Sequence, residues 1–137
     1  MTDAIIEIED VSKSFGGVVA NRGVSLSVPR GGITGLIGPN GSGKTTCINV
    51  ISGRLTPTAG RVRFEGQSIT GRTPEAVCRA GIAGTFQLAR VPDALDALDN
   101  VAVAAMYGRR RLDVASARAE ASFSPPAGAL NTNAPWP

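Results

Sequence analysis

The sequence predicts an α/β fold, with an antiparallel β part set beside a strand-loop-helix unit. Three observations carry that expectation. "AIIEIEDV" and "VSLSV" alternate apolar and polar residues, the pattern of strands buried on one face. "GGITGLIG" is a short apolar run bounded by glycines, which suits a strand covered on both faces. After Lys44, "TTCINVISGRL" places Cys47, Ile48, Val50 and Ile51 at helical spacing, with Gly53 as its stop.

The elements follow in chain order. Glu7 and Glu9 interrupt the apolar residues of the first strand, and "SFGG" ends it. Val24, Leu26 and Val28 share one face of the second strand, which Pro29 closes. "TAGRVRFEGQSI" reads as strand, turn and strand, punctuated by Gly60 and Gly66. Thr73, Pro74 and Glu75 combine a capping hydroxyl, a proline at the first helical position and an acid in the first turn. That helix is expected to run through "EAVCRA" to Gly81. "IAGTFQ" is expected to be a further short strand, and residues 99–107 a helix, ended by Gly108 and the arginine triplet 109–111. A basic triplet there is favourable charge at a helix C-terminus. From Ala121 to Pro137 no residue is charged and no period is visible, so residues 121–137 are expected to be a disordered tail to a domain spanning 1–120.

Composition narrows the function classes. A chain of 137 residues has room for one domain, and 42% apolar residues can build its core. The net charge of +3 is scattered and aromatics are 4%, so neither a nucleic-acid groove nor a stacking platform is indicated. There is no histidine and there are 2 cysteines, Cys47 and Cys78, which excludes a four-ligand N/S zinc site within one chain. The acidic start "MTDAIIEIED" is unlike a signal peptide, and no apolar run reaches the roughly 18 residues of a membrane span, so a cytoplasmic protein is expected.

"GPNGSGKTT" at 38–46 is where the chemistry lies. Gly38, Gly43, Lys44 and Thr45 satisfy G-x-x-x-x-G-K-[ST], between an expected strand and an expected helix, as the motif requires. Glycines let the backbone curl until several N–H groups face one anion, and the helix start adds its free donors and dipole. Lys44 is one of two lysines among 14 basic residues, and its compact charge suits outer phosphates. The Thr45 hydroxyl suits magnesium. The N-K-x-D base-reading motif of common GTPases is missing from the sequence.

"VSKSFGG", "GPNGSGKTT", "SGRLTPTAGRVRFEGQSITG", "GTFQ" and "LDNVAVA" together resemble the N-terminal half of an ABC-transporter ATPase subunit, from about Ile5 to Tyr107. The wording is most similar to ATPases of branched-chain amino acid importers. The resemblance implies a P-loop NTPase fold, ATP and Mg2+ as cofactors, and assembly with transmembrane permease subunits and a second ATPase subunit at the inner face of a membrane. It assigns nucleotide contacts to Gly38, Pro39, Asn40, Gly41, Ser42, Gly43, Lys44, Thr45 and Thr46. Phe15 falls where an aromatic stacks on adenine, and Gln87 where a glutamine meets magnesium and the attacking water. The family's L-S-G-G-Q signature, its apolar strand ending in Asp-Glu and its switch histidine have no counterpart in these 137 residues. The expectation is therefore a truncated domain that holds nucleotide and lacks a catalytic acid; the alternatives are a non-hydrolysing regulatory module or an ATPase fragment of another ABC transporter.

Overall fold

A computed structural model describes residues 3–85, 92 and 94–122. The chain divides into two compact units, residues 1–85 and 86–137.

The first unit is built on a four-stranded antiparallel sheet of order β2-β1-β3-β4. Its strands are β1 (Ala4–Phe15), β2 (Val18–Pro29), β3 (Ala59–Phe64) and β4 (Gln67–Ser68). β1 and β2 form a hairpin about Gly16 and Gly17, with Phe15 opposite Val18. Both strands are longer than the alternation suggests, because the pairing continues through "SKSF".

Bulges explain why the simple alternation fails there. The β1 register shifts against β2 between Ile8 and Val11 and against β3 between Glu9 and Ser12, and Asp10, inside both intervals, takes a φ of +49°. One extra residue reverses the parity of a strand, so Ile8 and Val11 both reach the core although three positions apart. Glu9 stays on the outer face, where it pairs with Arg61 at 2.7 Å.

Two helices close the core of this unit. α1 (Lys44–Ile51) contributes Cys47 and Val50, and α2 (Pro74–Ala80) contributes Val77. They pack with Ile8, Val11, Val62, Phe64 and Ile69. α1 ends as its glycine predicts: Arg54 N–H donates to Asn49 C=O and Gly53 N–H to Val50 C=O, with Gly53 at φ +76°. At the start of α2 the Thr73 hydroxyl accepts from Ala76 N–H and Pro74 occupies the first turn, as the sequence led us to expect.

Two expected strands are not found among the described residues. Residues 32–39, which hold "GITGLIGP", have no regular structure, and Ile33 and Ile37 are exposed. A strand covered on both faces needs partners on either side, and the sheet of this unit spends its strands on one another. Residues 82–85 likewise form no strand, and Gln87 lies outside the described residues.

The second unit is a helical hairpin of α3 (Ala97–Tyr107) and α4 (Val114–Ala121). Asp96 caps α3 through Asp99 N–H, and Asp113 caps α4 through Ser116 N–H. Ala102 and Ala117 are its buried residues. The arginine triplet lies in the connection after Gly108, where Arg110 pairs with Glu120 of α4. α4 was not expected; "VASARAEA" has no apolar stripe, and alanine propensity with the Asp113 cap suffices to form it. The helix runs through Ala121, and the rest of the expected disordered tail, from residue 123, lies outside the described residues.

Candidate functional site

Residues 38–46 lead from the irregular segment into the first turn of α1. Gly41 has a φ of +81°, and Gly43, the N-cap, has φ +85° and ψ +8°. A left-handed N-cap without a side chain leaves α1 with no side-chain cap, and its first turn holds no acid. Among the described residues the other three helix starts are each capped, by Thr73, Asp96 and Asp113. The leading N–H groups of a helix have no intrahelical partner. At α1 no side chain takes them, and with the positive dipole end they form the kind of helix start that accepts an anion.

Lys44 is curled over the loop that precedes it. Its Nζ donates to Pro39 C=O at 2.6 Å and to Gly38 C=O at 2.7 Å, and stands 3.4 Å from Ser42 Oγ. The ammonium is thus held inside the loop by carbonyls that phosphate oxygens can replace, since both accept from the same three donors. The fit at Gly38 is tight: a Cβ there would lie 2.8 Å from Ser42 Oγ. Pro39, Asn40, Gly41 and Ser42 are exposed, Thr45 is exposed in the first helical turn, and Thr46 is half-buried behind it. Burial pushes the thiol of Cys47, the next residue, above its ordinary range.

The loop is anchored to the sheet at one point that the sequence did not reveal. β2 carries an extra residue, Ala20, between the pairs Lys13–Asn21 and Ser14–Val19. There β2 meets Gly43 so closely that a Cβ on Gly43 would stand 2.3 Å from Ala20 C=O and 2.5 Å from Asn21 Nδ2. Asn21 is 6% exposed, the buried polar residue of the core, and its Nδ2 donates to Gly43 C=O at 3.2 Å. No periodicity flags it, because the bulge changes which β2 residues turn inward.

Phe15 ends β1 and is 46% exposed, so it is not part of the core. Lys13 Nζ lies 5.1 Å from the ring centroid and donates to Thr56 C=O at 2.8 Å, so one face of the ring is braced by a fixed cation. Lys13 pairs across the hairpin with Asn21. Phe15 therefore stands two residues, about 7 Å of strand, beyond the point where the hairpin grips the loop.

Lys44 thus gathers Gly38, Pro39 and Ser42 about its ammonium, Gly43 lies against β2, and Thr45 and Thr46 follow in the first turn of α1. No group of three or more His, Cys, Asp or Glu able to hold a metal occurs among the described residues. A cation at this site would need phosphate oxygens as ligands beside the Thr45 hydroxyl, as magnesium commonly does.

The model of the ABC transporter family matches residues 21–131. A probable branched-chain amino acid transport ATP-binding protein LivG of Archaeoglobus fulgidus is 41% identical over 115 residues, which are 83% of this chain and 45% of that protein. A ribose import ATP-binding protein, RbsA 1 of Rhizobium etli, is 35% identical over 104 residues, 75% of this chain and 20% of that one. Among solved structures, the ADP conformation of an ATP-binding cassette of an ABC transporter superposes with a TM-score of 0.69 at 42% identity, covering 77% of this chain and 41% of that one. The chain spans less than half the length of these relatives. With a family model matched over most of its residues and a phosphate-loop geometry to accompany it, the chain belongs to the ABC transporter family.

Proposed function

We propose that this chain supplies the nucleotide-binding part of an ABC importer's ATP-binding subunit, and that it binds ATP through residues 38–46. The observation that carries the reading is the start of α1: without a side-chain cap, free of acids, and opened by Lys44, whose ammonium folds back onto the loop before the helix. Lys44 exchanges the Gly38 and Pro39 carbonyls for outer-phosphate oxygens. The backbone N–H groups of the first turn of α1 hold the inner ones. The Thr45 hydroxyl would help to hold magnesium, which when bound would neutralise phosphate charge. Phe15 offers the exposed face of its ring to the base. Gln87 is assigned to the metal and the attacking water by resemblance alone.

Branched-chain amino acids are the cargo class this reading favours, on the strength of the LivG relative. A sugar importer is the second reading, supported by the ribose relative. The proposed partners are transmembrane permease subunits and a second ATP-binding subunit at the cytoplasmic face; among the described residues no helix is long and apolar enough to cross a membrane.

Calorimetric titration with MgATP tests the site. The wild-type chain should bind, Lys44→Ala should lose at least tenfold in affinity, and Arg110→Ala in the helical unit should bind as wild type does. Equal affinities for wild type and Lys44→Ala would refute the assignment.

A further inference from the structure

The buried asparagine that touches the loop does more than fill space. Asn21 Nδ2 donates to Gly43 C=O at 3.2 Å, and the same carbonyl accepts the first helical bond of α1, from Cys47 N–H at 2.9 Å. The peptide between Gly43 and Lys44 is planar and trans. Its C=O and its N–H therefore point in opposite directions, and two donors on the carbonyl fix where the Lys44 N–H aims. That N–H is among the uncapped leading donors of α1.

The other end of the same side chain argues against a packing role. Asn21 Oδ1 is buried and has no hydrogen-bond partner. A buried acceptor without a donor disfavours folding, and an aliphatic side chain of similar shape would avoid that cost. The amide is thus a poor core residue and a well-placed donor. Its backbone setting strengthens this: the bulge at Ala20 brings β2 against Gly43, and only a glycine admits the approach.

We propose that Asn21 is a positioning residue of the phosphate cradle, whose side-chain amide orients the 43–44 peptide so that the Lys44 N–H is already directed at an incoming phosphate. The inference rests on the nucleotide-binding reading of residues 38–46. It adds a residue outside the loop, on the sheet, that sets the loop's affinity without touching the ligand. Because Asn21 pairs with Lys13 across the hairpin, the strand pair that carries Phe15 is fixed to the cradle through the same contact.

Asn21→Leu separates the two roles, since it deletes the donor to Gly43 and the orphan acceptor together. Three quantities are measured on the 137-residue chain: MgATP affinity by calorimetry, the thermal midpoint, and the hydrogen-exchange rate of the Lys44 amide. We expect the dissociation constant to rise about five- to tenfold, the equivalent of one hydrogen bond. The midpoint should stay at or above that of wild type, and Lys44 exchange should quicken while the amides of Val62 and Phe64 keep theirs. If the leucine variant does not fold, Asn21→Ala, which adds no atoms, is read in the same way. A folded variant that binds within twofold of wild type overturns the proposal and leaves the nucleotide site standing. A raised dissociation constant with a lowered midpoint and faster exchange throughout the core would mark a merely structural residue and also overturn it. Absence of MgATP binding by the wild-type chain would overturn the site reading first, and this one with it.

Discussion

Substituting alanine for Gly43 tests whether the loop is shaped by contact with the sheet or only by glycine's backbone freedom. Gly41 supplies the comparison. Its φ of +81° nearly equals the +85° of Gly43, but a Cβ on Gly41 meets nothing within 4 Å. Gly41→Ala should therefore cost only the left-handed strain, about 1–2 kcal/mol. Gly43→Ala bears the same strain and also drives a methyl to 2.3 Å from Ala20 C=O and 2.5 Å from Asn21 Nδ2. The first of these is backbone within β2 and cannot swing aside as the tip of a long side chain does. Overpacking of this kind adds about 1–3 kcal/mol, for a total of about 2–5 kcal/mol. Domains of this class have only about 5–15 kcal/mol in hand, so the second variant should lie near the edge of folding. Gly17→Ala, with open space and no positive φ, should change little and serves as the control.

Equilibrium urea unfolding gives the readout, with the slope checked so that a shift in midpoint reports stability alone. The expected order is Gly17→Ala, Gly41→Ala, Gly43→Ala, in rising cost. Should Gly43→Ala be no more destabilising than Gly41→Ala, the approach of β2 to the loop would be wrong. The account of Asn21 would then lose its geometric basis.

Three further outcomes are expected. Iodoacetamide should alkylate half-buried Cys78 well before Cys47, whose thiol is buried and held protonated by that burial, and equal rates by mass spectrometry would show that α1 opens readily. Asp113, held below the ordinary carboxylate range by hydrogen bonds from Ser116 N–H and then from its hydroxyl, should support α4 at every pH above that range. Its depressed folded pKa means the support is lost as pH falls through that value, so Asp113→Asn should flatten the acid limb of the helical signal by circular dichroism. The 137-residue chain is expected to bind MgATP without steady-state hydrolysis above background, an outcome that follows from the sequence-based expectation that it lacks a water-orienting acid; a rate abolished by Lys44→Ala would contradict this.

The legible part of the fold was that written in local chemistry. Thr73-Pro74-Glu75 starts a helix because a hydroxyl, a proline and an acid each satisfy a separate need of a helix N-terminus, and none depends on distant residues. Gly53 and Gly81 stop helices for equally local reasons. The missed features are non-local. Asp10 and Ala20 are bulged residues, and a bulge is fixed by the strand opposite, not by the residues beside it. The run "ITGLIG" has the composition of a doubly covered strand, and what it forms depends on neighbours that the sheet of residues 3–85 does not supply. Ile33 and Ile37 stay exposed for that reason.

The site divides along the same line. The motif alone picks out Gly38, Gly43, Lys44 and Thr45, since each answers to a requirement of phosphate binding that is independent of fold. It does not say what holds the loop in its shape. The structure supplies two restraints, one inside the loop and one outside it. Lys44 ties the loop to itself through Gly38 and Pro39, and a phosphate competes directly with that tie. Asn21 ties the loop to β2 at Gly43, on a carbonyl that a phosphate has no reason to displace. Binding must therefore break the first restraint and can keep the second. A ligand that trades carbonyls for phosphate oxygens at Lys44 loses part of the gross attraction to that exchange. The Asn21 contact offsets some of the loss, because a peptide already oriented costs less entropy to order. Affinity at this loop is accordingly set in part by a strand residue that no phosphate-loop motif contains.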